Sequence, residues 1–243
     1  MLRFMLIASL AMTLSLGGSC ATTQPMNSSS VTASSRKKRS EQYLKSLGIP
    51  INPYLPLVED ESEARLRKPQ QVAERAIILH ALVMVAHRAD RESVASWLKK
   101  EELWESLSPS KKAFLRNHNP PEQAVIEASW RAESLWALLW ALGKVEKLEL
   151  PKELCDSEVV QQIMPDLGAP TGQFINQAML RLPDEILDAT DLIYRINWAV
   201  VDARLNERET PGEFHPGIVY ERHYALNWLT WYADEWDDIT TDT

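Results

Sequence analysis

The sequence predicts an all-α protein, a single irregular multi-helix domain with a Trp-rich core. Helix start and stop signals recur along the chain, while no run alternates apolar and polar residues as a half-buried strand would. No internal repeat is present. Nine tryptophans in 243 residues supply large rings to fill a helical core, each with an indole N–H that wants a partner.

Composition narrows the possible partners. With 45% hydrophobic and 25% charged residues the chain is an ordinary globular protein. Its net charge of −8 excludes nucleic acid, because neutralising a phosphate backbone takes a basic stripe. The only basic cluster is "RKKR", Arg36 to Arg39, which reads as the solvated first turn of a helix.

Residues 1–19 read as a signal peptide. "MLRFMLIASLAMTLSLGGSC" places one positive charge at Arg3 before an apolar run too short for a membrane span, followed by small residues. The junction "LGGSC" resembles a bacterial lipobox, with Leu16 one place early and Gly17 in the usual leucine position, and it makes Cys20 the expected lipidation site. The expected location is the bacterial cell envelope, with the membrane as partner through the lipid anchor. A cut after Ala21 would instead give a secreted or periplasmic soluble protein. Residues 20–35, rich in Ser and Thr, read as a flexible tether. After processing only Cys155 remains for an internal disulfide, so packing must carry the stability.

The helical domain spans 36–243. "RSEQYLKSLG" stops at Gly48, and prolines 53 and 56 keep "INPYLPL" extended. "KPQQVAERAIILHALVMVAHR" opens with Pro69 in the favoured first turn, "LSPSKKAFL" with Ser108 as N-cap before Pro109, and "DSEVVQQIM" with Asp156 as cap. "LGAPTGQF" gives the weakest signal. "PPEQAVIEASWRAESLWALLWALGKV", stopped by Gly143, is apolar on every side from Leu135 to Leu142, which marks a helix surrounded by protein, and Trp136 and Trp140 lie one turn apart.

The last two long helices carry the site candidates. In "LPDEILDATDLIYRINWAVVDARL", at about 100° per residue, Ile193, Ile196, Val200 and Ala203 share a face with Arg204. Asp191, Arg195 and Asp202 line the opposite face, where ion pairs would be solvated. In "PGIVYERHYALNWLTW", Arg222 sits amid Ile218, Ala225, Leu226 and Leu229, with Tyr220, His223, Asn227 and Trp231 opposite. A guanidinium on a core-facing stripe must find carboxylates or carbonyls. The nearest acids in sequence are Asp234, Glu235, Asp237 and Asp238, so the terminus "NWLTWYADEWDDITTDT" is expected to fold back, its carboxylates meeting Arg204 and Arg222 and its rings, Trp236 among them, covering them. Two readings stand: a buried polar network, or an arginine-lined pocket for a small anionic ligand.

"SWRAESLWALLWALG", "DLIYRINWAVVDARL" and "PGIVYERHYALNWLTWYADEWDDITTDT" resemble a bacterial domain-of-unknown-function family, number 4272, and "LGIPINPYLP" and "KPQQVAER" fit its opening pattern. The resemblance covers roughly residues 36–243 and implies one mainly helical domain. It brings no activity and no catalytic residues. Family members generally look cytosolic, whereas this chain opens with an export signal. Asn197 stands where the family pattern leads one to expect a histidine.

No residue set points to a cofactor, and none to a metal. His80 and His87 share a helix face without a matched carboxylate, and His215, Glu221 and His223 straddle a helix start. Cys155 lacks the cationic neighbour that would activate a thiol. The expected function is therefore non-catalytic binding or interaction by an envelope lipoprotein, with an unknown protein or small anionic ligand as partner. Arg204, Arg222, His223, Asn227, Trp236, Asp237 and Asp238 are its candidate binding residues. The alternative is a hydrolase pairing His223 with Asp237 or Asp238 near Arg222.

Overall fold

A computed structural model describes residues 32–243. The segments expected to be a signal peptide and a tether, with Cys20, lie as far as residue 31 outside the described residues. Among these are nine α-helices, two 3-10 turns and no strand, packed as one unit. No described helix is long and apolar enough to cross a membrane.

The helices are α1 (Ala33–Ser46), α2 (Pro69–Ala86), α3 (Arg91–Lys100), α4 (Pro109–Arg116) and α5 (Glu122–Ala141), then α6 (Ser157–Ile163), α7 (Gly172–Asn176), α8 (Pro183–Leu205) and α9 (Pro216–Leu229). They pack in the order α1, α8, α9, α5, α2, with α3, α4 and α7 against α2. α9 therefore sits in the middle, and every residue from Glu221 to Leu229 is buried. α5 is sealed between α9 and α2 over Ala137–Ala141, as its all-round apolar stretch requires.

Most boundaries follow local chemistry. Asp156 caps α6 by accepting from the Glu158 and Val159 N–H groups. Ser108 holds the N-cap position of α4, although its hydroxyl faces Ser110 rather than the helix N–H groups. α1 begins at Ala33, capped by Thr32, so residues 33–35 are its first turn rather than tether. α3 is an element the helix signals above leave out, though Asp90 caps it through the Ser93 N–H. The weak stretch holds α7, a helix of five residues.

Two charge assignments are corrected. Arg36 is no solvated residue: it is 1% exposed, with Asp188 at 3.0 Å, Asp184 at 3.4 Å and the Glu59 carbonyl at 2.9 Å. Asp191 and Arg195 are buried too, paired at 2.6 and 2.9 Å, because α1 covers the face of α8 that a solvated helix would leave open. Amphipathic periodicity sees only one helix at a time, and the second polar face of α8 is buried by ion pairing.

Candidate functional site

The two stripe arginines have different fates. Arg222 is buried, as its position demands, but it binds Glu133 of α5 through Nε at 3.1 Å and Nη2 at 2.9 Å, and the Glu149 carbonyl at 2.8 Å. No acid of the terminus reaches it. Arg204 is exposed: with Leu205, 73% exposed, it belongs to the last turn of α8, beyond the cover of α9.

The terminus does fold back, and its rings do cover arginines, but different ones. Arg67 lies 4.0 Å from the Trp231 ring centre and 4.3 Å from that of Trp228. Arg75 lies 5.2 Å from Trp228 and 5.1 Å from Trp236, which is 1% exposed. Arg65 covers the outer face of Trp231 at 5.1 Å. Rings and guanidinium groups thus alternate along one stack. Arg67 also donates to the carbonyls of Trp228, Ala233 and Asp234, each at 2.7 Å, closing the end of α9. Burial pushes the Arg75 guanidinium down to about 10, still charged at neutral pH, and its Nε and Nη1 have no hydrogen-bond partner. The ring faces stand in for the missing carboxylate. Asp237 joins the terminus to α4, accepting from Ser110 at 2.6 Å and facing Lys111 at 3.5 Å, and Asp238 is exposed.

α9 leaves the core through an unusual cap. Tyr232 N–H donates to the Asn227 carbonyl and Trp231 N–H to that of Trp228, the paired bonds of a Schellman ending. The residue in the left-handed position is Trp231, at φ +60°, where glycine is the usual choice. The cap turns Trp231 and Tyr232 toward α8.

Between them lies a cavity of about 580 Å³. Its walls are Thr190 and Tyr194 from α8, His223, Asn227 and Thr230 from α9, the rings of Trp231 and Tyr232, and the extended segment Leu55–Glu59, with Asp242 and Thr243 at one side. His223 is 1% exposed; its Nδ1 has no hydrogen-bond partner, and the Tyr194 ring lies against it, tilted by 42° with centroids 5.8 Å apart. Burial pushes its pKa down to about 4, against the pull of Asp242, so the ring is neutral at physiological pH. The acid facing His223 is thus Asp242, and the pairing with Asp237 or Asp238 beside Arg222 is not formed.

A second depression, about 650 Å³, lies on the other side of the terminal residues, lined by Arg204, Arg208, Asn197, Tyr220 and Asp242. The sequence-derived candidates therefore divide. His223 and Asn227 meet at the first cavity, Arg204 lines the second, and Arg222, Trp236 and Asp237 hold the fold. The Leu55–Glu59 wall and Tyr194 were missed, though Thr190, Tyr194 and Asn197 recur at helical spacing along α8 and the prolines already made the wall extended.

A third cavity of about 500 Å³ lies between α2, α5 and α6, with His80 and Cys155 on a largely apolar wall. Burial pushes His80 down to about 4 and the Cys155 thiol up to about 12, helped by Glu133, so at neutral pH the imidazole is uncharged and the thiol stays protonated. His215 caps α9 by accepting from Gly217 N–H, and Glu221 is engaged by Arg131 and Ser134, so these two do not converge with His223 on a metal position. Among the described residues no three His, Cys, Asp or Glu side chains form such a set.

Fold and site together define a mainly helical single domain with an aromatic-walled cavity beside its central helix. The family model described as "Domain of unknown function (DUF4272)" matches residues 36–239, and the chain belongs to that family. Comparison with curated proteins and with solved structures returned no match.

Proposed function

We propose that this chain is a non-catalytic binding domain, tethered to a bacterial envelope membrane through lipidated Cys20, whose ligand enters the cavity at His223. The observation that carries the reading is a concave, aromatic-walled space with an unpartnered, neutral imidazole at its base. Apolar walls with a few convergent polar groups are what a ligand pocket needs. Leu57 and Tyr232, 53% and 56% exposed, add an apolar rim. Binding is favoured over hydrolysis because the two helix threonines on the wall, Thr190 and Thr230, donate to the Ile186 and Leu226 carbonyls of their own helices, so neither of these hydroxyls is poised as a nucleophile. The ligand class that suits a neutral ring between tyrosines is an uncharged or weakly polar group, and an anion is better served by Arg204.

A fragment panel screened by ligand-observed NMR tests the reading. Hits that bind the wild type and are lost in Val58→Trp, which fills the cavity from its outer wall, are the expected result. No hits, or hits indifferent to Val58→Trp, would exclude this cavity as the ligand site.

A further inference from the structure

The segment Thr240–Thr243 lies between the two depressions and lines both through Asp242 and Thr243. It has no regular secondary structure, and what holds it is specific. Asn227 of α9 donates its side-chain N–H to the Thr240 carbonyl at 2.9 Å, and Asn197 of α8 donates to the Thr241 carbonyl at 2.8 Å. Both asparagines are buried. Two helices flanking a furrow, each with one amide, therefore read consecutive peptide units whatever side chains these carry. Thr240 adds a hydroxyl contact to Tyr232 at 3.0 Å, and Arg204 and Arg208 stand at the end where Asp242 lies.

We propose that the α8–α9 furrow is a peptide-binding site, occupied in cis by Thr240–Thr243, whose ligand in trans is an extended, acidic segment of a partner protein. The inference rests on reading this face as a binding surface and names what that surface takes. The main-chain carbonyls go to Asn227 and Asn197, and the residues that follow them lie between the His223 cavity and Arg204, as Asp242 and Thr243 do in cis. The cis segment competes as a tethered ligand at an effective concentration on the order of millimolar, so the intact chain binds a free peptide weakly and a partner must displace the strap.

Fluorescence anisotropy with a labelled peptide of sequence Asp-Ile-Thr-Thr-Asp-Thr, which copies residues 238–243, tests this. Three chains are compared: the intact protein, the intact protein carrying Thr240→Ala and Asp242→Ala to loosen the strap, and a chain ending at Ile239. Affinity is expected to rise in that order, by tenfold or more from first to last. In the shortened chain Asn197→Ala and Asn227→Ala should each weaken binding about fivefold, the value of one hydrogen bond, and Arg204→Ala should weaken it in a salt-dependent way. The proposal is overturned if the loosened and shortened chains bind no better than the intact one, or if a scrambled non-acidic peptide binds equally. It is also overturned if the intact chain forms a concentration-dependent dimer that the shortened chain does not, which would give the furrow to a second copy. Fragment binding that is lost in Val58→Trp would survive any of these failures, so the two readings fall separately.

Discussion

Removing one partner of a sealed ion pair strands the other charge where water cannot solvate it. Glu133 and Arg222, 1% and 3% exposed, are such a pair. Glu133→Gln is expected to cost about 3–5 kcal/mol, and Glu133→Leu with Arg222→Met should recover most of it. The Cys155 N–H, which donates to Glu133 at 2.6 Å, accounts for what is not recovered. Urea denaturation of the single and the double variant measures the difference. The buried histidines give a sign-definite pH dependence. His80 and His223 titrate near 4 when folded and near 6.5 when unfolded, so the unfolded chain binds more protons between those values. Stability should be fully present above pH 6.5 and fall as the pH drops toward 4, at about 1.4 kcal/mol per histidine per unit. His223→Gln should flatten the slope of the urea midpoint between pH 6.5 and 5 by one proton. Glu221, whose carboxyl burial raises above its ordinary value of 4.5, works in the opposite sense within that window, adding stability as the pH falls toward 4.5. The residue types on these stripes made a buried network legible in the sequence. The partner of Arg222 was not, because Glu133 lies on another helix, 89 positions away.

The cap of α9 shows how an element can give up local comfort to position a site. Trp231 holds the left-handed conformation, at a cost of about 1 kcal/mol, and in return places its indole between Arg65 and Arg67 and on the cavity wall. Trp231→Gly relieves the backbone and Trp231→Ala does not, while both remove the ring. The glycine variant is therefore expected to be the more stable of the two by about 1 kcal/mol, the reverse of the helix-interior ranking, as thermal unfolding would read it. Both should weaken any ligand that depends on the cavity. The polar face of α9, with Tyr220, His223 and Asn227, is visible from helical spacing alone, whereas Trp231, which the same spacing put on that face, lies beyond the helix in the cap. What spacing could not supply is the facing wall, because Leu55–Glu59 reaches it from far along the chain. Arg75, midway along α2 and sealed by rings, was invisible for the same reason.

At the scale of the molecule the chain is closed by its acidic, tryptophan-bearing terminus. That it would fold back was legible from "NWLTWYADEWDDITTDT"; that Arg67 and Arg75 would receive it, rather than Arg204 and Arg222, was not. A guanidinium needs desolvated ring faces or carboxylates in three dimensions, and sequence proximity selects neither. The proposed envelope anchor belongs to this scale too. Cys20→Ser is expected to move the protein from the detergent to the aqueous phase on partitioning, and an unchanged distribution would remove the anchor. The closure itself is tested most directly by native-state hydrogen exchange at the indole N–H of Trp236, which is 1% exposed in the stack with Arg75 and Trp228. If the terminus is part of the core, this proton exchanges only with the free energy and denaturant dependence of global unfolding. Exchange through a low-energy, denaturant-independent opening, while α9 amides stay protected, would contradict it.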